Sequence, residues 1–287
     1  QAHRRLQELE PRRIEALKRA GLPDNYDQPR PICASCQDTG RLAGGGPCSC
    51  RDGLLRQSLR DASGLGPLVN CTFDAFDETI YDDQVNESRD RADVSPLVQM
   101  NGVHIACRRF VQDLKKQTPD LHDLLFTGMP GTGKTYMAAC VANEAIDAGL
   151  SVMYLPAPRM FDILGAYRAL CASFRPDEDR FEEAERDYSA ILDSRLLIVD
   201  DLGTEPLKSA TLPELLQILD HRHGAGLRTL FCTNAALSSL RELYDERLRS
   251  RLIGRCTILR FFGDDLRMRA VRTRKRAKPR TANDLEN

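Results

Sequence analysis

Residues 124–145 read LLFTGMPGTGKTYMAACVANEA, and this stretch decides the fold. It joins a short apolar run to a helix-forming segment through GMPGTGKT (128–135), which fits the pattern G-x-x-x-x-G-K-[ST]. In that pattern the glycines let the backbone turn its N–H groups around phosphate oxygens, and the start of the helix adds partial positive charge. The stretch therefore predicts a strand, a phosphate-binding loop and a helix in direct succession.

The loop assigns roles to individual side chains. Lys134 is expected to reach the β and γ phosphates of ATP, and the Thr135 hydroxyl is expected to ligate Mg²⁺. The other loop residues expected to contact the nucleotide are Gly128, Pro130, Gly131, Thr132 and Gly133. A chance match in a glycine-rich turn is the alternative, and the apolar run before the loop and the helix after it argue against that alternative.

The chain around this motif repeats the same alternation of apolar runs and helical segments. Short apolar runs lie at 122–128, 151–156, 195–201, 228–234 and 256–261. Helical segments lie between them, at about 134–147, 158–171, 212–223 and 238–253. Strands covered on both faces appear as continuous apolar runs, so the pattern predicts an α/β three-layer sandwich around a five-stranded parallel sheet.

Two further segments carry candidate catalytic groups. LLIVDD ends in Asp200 and Asp201, and ligands of such sheets bind outside the carboxyl ends of the strands. Asp200 is expected to hold Mg²⁺, directly or through water, and Asp201 to polarise the water that attacks the γ phosphate. The next run ends in FCTN, whose Asn234 is suited to orienting that water. A solvated acidic turn and an Asn that caps the following helix are the alternatives.

Four of the ten cysteines crowd into residues 33–50, as CASCQDTGRLAGGGPCSC. Cys33 and Cys36 form C-x₂-C, and after eleven residues Cys48 and Cys50 form C-x-C. Four thiolates suit tetrahedral Zn²⁺, and metal binding would supply much of the folding free energy of so short a segment. The sequence thus predicts a small zinc-binding module, with a redox dithiol as the rival interpretation.

Bulk composition excludes several classes of protein. The 287 residues are 41% hydrophobic and 29% charged, with a net charge of −1, which is an ordinary composition for a soluble globular protein. No apolar run approaches the ~20 residues that a membrane span needs. The opening residues, QAHRRLQELEPRR, have no apolar stretch of signal-peptide type, and the remaining cysteines are scattered. We therefore expect a cytoplasmic protein without a membrane partner.

With these motifs in place, the core resembles AAA+ ATPases, and specifically the bacterial DnaC/DnaI helicase-loader group. IstB-like ATP-binding proteins of transposons are close relatives of that group. The resemblance rests on LLFTGMPGTGKTYM, LLIVDDLG, CTN, ERLRSRL and the aromatic segment CTFDAFDETIY (71–81), and it covers roughly residues 70–262. Most AAA+ members carry Asp-Glu at the acid pair. This chain has Asp-Asp there, and the loader group often has Asp-Asp as well.

The resemblance implies further roles. RLRSRL (247–252) matches the family's box with a trans-acting arginine, which falls on Arg251, so the chain is expected to self-associate through its ATP site. The residues after the last strand are too few and too basic for the full helical lid found in most AAA+ proteins. Arg267 is the one candidate for an arginine that senses the nucleotide from that side.

Three regions could contact single-stranded DNA. One is the helix at 158–175, whose candidate residues are Arg159, Phe161, Tyr167, Arg168, Phe174 and Arg175. At helical spacing, however, the apolar members of this set also fit a packed core. The second region is the tail from 267 onward, with eight Lys or Arg and no acid between Arg267 and Arg280, and the third is the zinc module. A solvated tail is the alternative.

The chain divides into four predicted regions. Residues 1–53 hold an N-terminal helical segment and the Cys₄ module, expected to dock on a helicase, and 54–104 hold a linker and the start of the ATPase domain. The AAA+ ATPase domain spans 105–266, and 267–287 form a basic tail. Pro11 is expected to break the N-terminal helical segment over 3–20 into two pieces or to open the second.

The predicted function is an ATP-dependent loader of the replicative hexameric DNA helicase onto single-stranded DNA, with slow Mg²⁺-dependent ATP hydrolysis to ADP acting as an assembly and release switch. One rival is a transposition-helper ATPase that binds duplex DNA and a transposase. The other is a small-molecule P-loop kinase, which would need a substrate pocket and an arginine-bearing lid, and would not need Arg251 from a neighbour.

Overall fold

The computed structural model describes residues 2–23, 26, 31–118, 121–203 and 211–268. Two compact units make up the chain, one from Gln1 to Leu54 and the other from Leu55 to Asn287. None of the helices in these described stretches is both long and apolar enough to cross a membrane.

The larger unit is built on five parallel strands. They are β1 (Asp123–Gly128), β2 (Val152–Pro156), β3 (Leu196–Leu202), β4 (Arg228–Thr233) and β5 (Cys256–Phe261). The order across the sheet is β2-β3-β4-β1-β5, and every neighbouring pair is parallel. The central strands are buried nearly throughout, because helices cover both of their faces. All five predicted strands are confirmed.

Ten α-helices lie in the described residues. They are α1 (Ala2–Arg19), α2 (Ser49–Ala62), α3 (Glu87–Asp90), α4 (Pro96–Lys116), α5 (Lys134–Asp147), α6 (Ala157–Cys171), α7 (Glu178–Asp193), α8 (Thr211–Gly224), α9 (Leu237–Leu243) and α10 (Glu246–Gly254). Helices α4 and α5 pack on one face of the sheet with a core that includes Phe126 and Ile198. Helices α6 to α10 cover the other face around Leu197 and Phe231. The predicted three-layer AAA+ sandwich is therefore confirmed.

Several helices differ from the prediction. The run expected to be one helix over 238–253 is two, because Tyr244 is extended and the Asp245 carboxylate accepts the Leu248 N–H at 2.8 Å, which starts α10 anew. The sequence pattern predicts no helix at α7, which buries little of its surface and is capped by Asp177. It predicts a linker over 54–72, whereas α2 continues to Ala62.

The prediction that Pro11 interrupts the first helix is wrong. Helix α1 runs unbroken from Ala2 to Arg19 with Pro11 inside it. Ion pairs between Arg13 and Glu10 and between Arg19 and Glu15, three and four residues apart, join successive turns around and beyond the proline. Such pairs stabilise a helix by only a few tenths of a kcal/mol each. They therefore offset a small part of the free-energy cost of a proline inside a helix.

Candidate functional site

The phosphate-binding motif forms the loop between β1 and α5. Gly131 and Gly133 both have positive φ, at 79° and 100°, a conformation that disfavours any residue with a Cβ. Space is also closed to a side chain there, since a Cβ on Gly133 would lie 2.4 Å from the Tyr81 hydroxyl. Backbone conformation therefore favours glycine at both positions, and the nearby Tyr81 hydroxyl adds to this at Gly133.

Lys134 is the first residue of α5 and is buried at 6% exposure. Its Nζ donates to the carbonyl oxygens of Gly128 at 2.7 Å and Met129 at 2.8 Å, so the ammonium group lies across the mouth of its own loop. Burial lowers the pKa of Lys134, while the nearby Asp200 and Asp201 act in the opposite direction. An anion in the loop would offer this cation better partners than two neutral carbonyls.

The acid pair lies at the carboxyl end of β3, where the strand is irregular. The register between β3 and β4 shifts between Val199 and Leu202, and Asp201 takes a left-handed φ of 55°. Successive residues of a regular strand point to opposite faces, and the irregularity changes this alternation at the acid pair. Asp200 is buried at 5% exposure while Asp201 is exposed, and Asp201 lines the main cavity.

Asp200 is held by donors from three elements. Thr135 Oγ1 donates to its Oδ2 at 2.9 Å, the Tyr154 hydroxyl donates to the same oxygen at 2.5 Å, and the Asp201 N–H donates to Oδ1 at 2.9 Å. A hydroxyl and a buried carboxylate side by side are oxygen ligands of the kind that Mg²⁺ prefers. Thr135 and Asp200 therefore fit a magnesium site.

Tyr154 is a site residue that sequence reasoning missed. It lies in the apolar run of β2, for which the sequence pattern predicts only a place in the sheet core. Burial and the negative charge of Asp200 hold the pKa of Tyr154 far above its ordinary value, so its hydroxyl stays a proton donor. A tyrosine inside a strand covered on both faces must find a partner for its hydroxyl, and that requirement was the available signal.

Asn234 follows β4 and contacts the acid pair directly. Its Nδ2 donates to Asp201 Oδ1 at 3.0 Å. The alternative that Asn234 caps the next helix does not hold, because α9 begins after Ala236 and has no side-chain cap. Asp201 and Asn234 therefore lie together at the carboxyl edge of the sheet, as the sequence predicted.

A cavity of about 680 Å³ opens beside the loop. Its polar side consists of Gly131, Gly133, Lys134, Thr135, Asp201 and Asn234. Its apolar side comes from the aromatic segment 71–81, with Phe76 and Tyr81 at 5.8 Å between ring centroids, and from Tyr136 of α5. The cavity thus joins a phosphate-binding end to an aromatic end that suits a nucleotide base.

The residues after β5 close over the loop. The Leu266 N–H donates to the Gly131 carbonyl at 3.0 Å, and the Asp265 side chain fills the space where a Cβ of Gly131 would lie. This contact brings Arg267 into the lining of the cavity. Predictions about the tail beyond Met268, including the expectation that it forms no full helical lid and its part in DNA binding, lie outside the described residues.

Arg251 lies apart from the other predicted site residues. Within the described part of the chain it does not line the cavity, and its Nε donates to Asp220 Oδ1 of α8 at 2.7 Å. Helix α10 leads into the start of β5, whereas the acid pair ends β3. In a parallel sheet these are opposite edges, so Arg251 lies toward the edge opposite to the acid pair of the same chain.

The helix predicted to contact DNA divides into a packed part and an exposed part. Phe161 packs against the core, Tyr167 stacks on Tyr188 of α7 at 4.3 Å, and Arg168 pairs with Glu214. Phe174, in the turn between α6 and α7, is 96% exposed. The core alternative is therefore right for Phe161, and the free aromatic surface is at the turn.

The four predicted zinc ligands converge in the smaller unit. Their sulfur atoms all lie within 4.8 Å of one another, with Cys33 and Cys48 at 3.7 Å and Cys36 and Cys50 at 3.3 Å. Tetrahedral Zn–S bonds of about 2.3 Å place sulfurs about 3.8 Å apart. Backbone hydrogen bonds from Cys36 and Ser35 lower the pKa of Cys33 to about 7. Spacing and chemistry both fit zinc.

Comparison with known proteins agrees with this geometry. The family described as IstB-like ATP binding protein matches residues 105–274. The replicative helicase loader DnaC of Escherichia coli K12 is 28% identical over 220 residues, 76% of this chain and 78% of the loader. An insertion sequence ATP-binding protein of Sinorhizobium fredii is 29% identical over 154 residues, 52% of this chain and 58% of its own length.

Among solved structures, AMPPCP-bound DnaA from Aquifex aeolicus matches with a TM-score of 0.50 at 18% identity, over 75% of this chain and 56% of DnaA. This likeness concerns the fold alone. The family match covers more than half of the chain and spans the loop, the acid pair and Asn234. The chain therefore belongs to the family of IstB-like ATP-binding proteins.

Proposed function

We propose that this protein is an ATP-dependent loader of the replicative helicase onto single-stranded DNA. The observation that carries the proposal is the extent of the likeness to DnaC, which takes in 76% of this chain, against 52% for the insertion-sequence relative. The DnaC of Buchnera aphidicola matches 89% of the chain, at 23% identity. A match of that length must include nearly all of the segment from the cysteine cluster to the acid pair.

The cavity supports a nucleotide-dependent switch. On binding ATP, Lys134 would leave its loop carbonyls for the β and γ phosphates, while Thr135 and Asp200 would hold Mg²⁺. The metal would supply positive charge against the phosphates. Asp201 would orient and polarise a water molecule, and Asn234 would hold the Asp201 carboxylate in place. Hydrolysis of ATP to ADP would then release one assembly state.

Arg251 supports assembly through the nucleotide. Because it lies at the opposite edge of the sheet from its own acid pair, it is suited to the site of a neighbouring copy rather than to its own. The hydrogen bond to Asp220 is made by Nε, and the guanidinium carries four further N–H donors on its terminal nitrogens. ATP would then lie at a seam between copies, with Lys134 from one chain and Arg251 from the next.

Two regions of the chain would contact the partners, the helicase and single-stranded DNA. The cysteine module would dock on the hexameric helicase. Phe174 and Arg175, both exposed in the turn after α6, would contact single-stranded DNA, since an aromatic face beside positive charge suits unpaired bases and their phosphates. The basic tail stays a second DNA-binding proposal.

A transposition helper that binds duplex DNA is the second candidate. The insertion-sequence relatives and the family description favour it. The two functions differ in partner, because a helper would bind a transposase, and in preferred DNA, because it would assemble on duplex rather than on single strands.

A pull-down with the purified replicative helicase of the host separates the two. We expect ATP-dependent capture of the helicase hexamer by the wild-type chain, loss of nucleotide-dependent capture in Lys134→Ala, and preference for single-stranded DNA. In the same assay Phe174→Ala should weaken the single-strand contact, while Ile105→Ala, which removes an exposed side chain of α4, should not. No helicase capture together with a preference for duplex DNA would overturn the loader.

A further inference from the structure

The hydroxyl of Tyr154 has a specific relation to the acid pair. Tyr154 pairs with Ile198 across β2 and β3, and Asp200 lies two residues further along the same face of β3. A long aromatic side chain reaches such a diagonal neighbour, and the Tyr154 hydroxyl does so, donating to Asp200 Oδ2. The tyrosine is 6% exposed, so water competes little for this bond.

Two hydroxyls meet on one oxygen of Asp200. Thr135 from α5 and Tyr154 from β2 both donate to Oδ2, while the backbone N–H of Asp201 donates to Oδ1. Removing the Tyr154 hydroxyl would leave Oδ2 with Thr135 as its one side-chain donor among these contacts, beside the Asp201 N–H on Oδ1. In metal sites, partners that orient a ligand in this way commonly change metal affinity by 10–100-fold.

We propose that Tyr154 is a positioning residue, which orients the carboxylate of Asp200 to bind Mg²⁺. We propose further that the backbone of Ser63 and Gly64 fixes the position of Tyr154. This inference rests on the proposed nucleotide switch, in which Asp200 holds the metal. It adds to that switch a residue on the edge strand and a segment outside the sheet.

The second part follows from the edge of β2, which is the outer strand of the sheet. The Tyr154 N–H donates to the Ser63 carbonyl at 2.7 Å. Gly64 has a φ of 77°, and a Cβ there would lie 2.6 Å from the Tyr154 carbonyl oxygen. Because that neighbour is backbone and cannot rotate away, only glycine permits this approach. Ser63 and Gly64 directly follow α2, so a displacement of the end of α2 would reach Asp200 through Tyr154.

The test is a titration of a fluorescent ATP analogue at increasing Mg²⁺ concentrations. For Tyr154→Phe we expect the Mg²⁺ concentration at half-maximal tightening to rise about tenfold. Affinity in EDTA should stay at the wild-type value, because Lys134 and the loop are unchanged. Tyr188→Phe, which removes a hydroxyl from a ring stacked on Tyr167, should titrate as wild type.

The glycine pair supplies an independent variant. Gly64→Ala and Gly66→Ala share the conformational cost of a positive φ, but only Gly64→Ala meets an atom within 4 Å. We expect Gly64→Ala to shift the Mg²⁺ titration in the same direction as Tyr154→Phe. We expect Gly66→Ala to leave the titration unchanged when the two alanine variants have equal thermal stability.

The outcomes separate the two proposals. Wild-type Mg²⁺ dependence in Tyr154→Phe overturns the positioning role, and equal behaviour of the two alanine variants overturns the part played by Ser63 and Gly64. A wild-type chain that binds the analogue without any response to Mg²⁺ overturns the metal-dependent switch as well as the positioning. A wild-type chain that does not bind the analogue at all counts against the proposed function itself.

Discussion

At the scale of single residues, the site depends on two adjacent carboxylates that differ in burial and in hydrogen-bond partners. Asp200 is buried and bonded to Thr135 and Tyr154, while Asp201 is exposed, left-handed and bonded to Asn234. A non-glycine residue in the left-handed region costs about 1–2 kcal/mol, least for Asp and Asn. The surrounding sheet maintains that conformation, and the result is one carboxylate suited to a metal and one open to water.

This difference predicts opposite effects of the two conservative substitutions. Asp201→Asn should bind ATP within about twofold of wild type, because Lys134, Thr135 and Asp200 are unchanged, and should hydrolyse it about 10²–10⁴-fold more slowly. Asp200→Asn should instead weaken Mg²⁺-dependent binding. Equilibrium binding and single-turnover hydrolysis measure the two effects separately. Wild-type turnover in Asp201→Asn would move the water-activating role to another residue.

At the scale of elements, the cysteine cluster illustrates how a short segment depends on its ligands. Gln37 and Asp38 take left-handed conformations between the first two cysteines and the glycines, and the Asp38 carboxylate accepts the N–H groups of Ile32 and Cys33 at 2.9 Å. These turns bring the thiols together, but they bury little apolar surface. We therefore infer that a metal contributes most of the local stability.

The expected result is one zinc ion per chain in elemental analysis of protein purified without added metal. Cys48→Ser should release the metal and make the smaller unit sensitive to proteolysis, while ATP binding changes by less than about twofold, because the cluster does not line the nucleotide cavity. Cys171→Ser is the matched control, since Cys171 is exposed and lies outside the cluster. Metal-free protein with four freely reactive thiols would exclude the zinc site.

At the scale of the whole molecule, Arg251 and the nucleotide cavity of a single copy lie apart. The loop and the acid pair lie at the carboxyl edge of the sheet, and Arg251 lies toward the other edge, paired with Asp220. Its ion pair is partly exposed and contributes at most about 1 kcal/mol to stability, so its removal should not unfold the chain. In the proposed function, assembly of copies would bring Arg251 of one chain to the cavity of the next.

Mixing of variants tests this arrangement. Arg251→Ala should bind ATP normally and lose about 10³-fold or more in turnover, since an arginine supplied in trans to the γ phosphate contributes effects of that size. Lys134→Ala should bind ATP poorly. Mixing the two should restore part of the turnover, because some seams then combine Lys134 from one chain with Arg251 from the other.

Arg247 and Arg249 on the same helix are the controls, and alanine at either position should leave turnover close to wild type. Normal hydrolysis by fully assembled Arg251→Ala, or mixtures that never regain activity, would leave Arg251 as a structural partner of Asp220 only.

Much of this architecture could be predicted from local sequence. The five strands appear as apolar runs, because a strand covered on both faces must be apolar along its whole length. The loop, the acid pair, Asn234 and the four cysteines are each defined by residue type and spacing, and these are properties of the chain itself. The sequence pattern does not predict α7, because Ile191 is its one fully buried residue and charged residues dominate the rest of the helix. It does not predict the break at Asp245 either, because that break depends on a side-chain cap.

The tertiary structure alone decided which of these groups share a site. Tyr154 becomes a partner of Asp200 only when β2 and β3 align so that Tyr154 faces Ile198. Asp201 turns toward the cavity only because β3 is irregular at that point. Gly64 must be glycine only because the Tyr154 carbonyl oxygen would lie 2.6 Å from a Cβ at that position. Residue type and spacing determine what a side chain can do, whereas strand register and backbone contact, which join distant parts of the chain, determine what it meets.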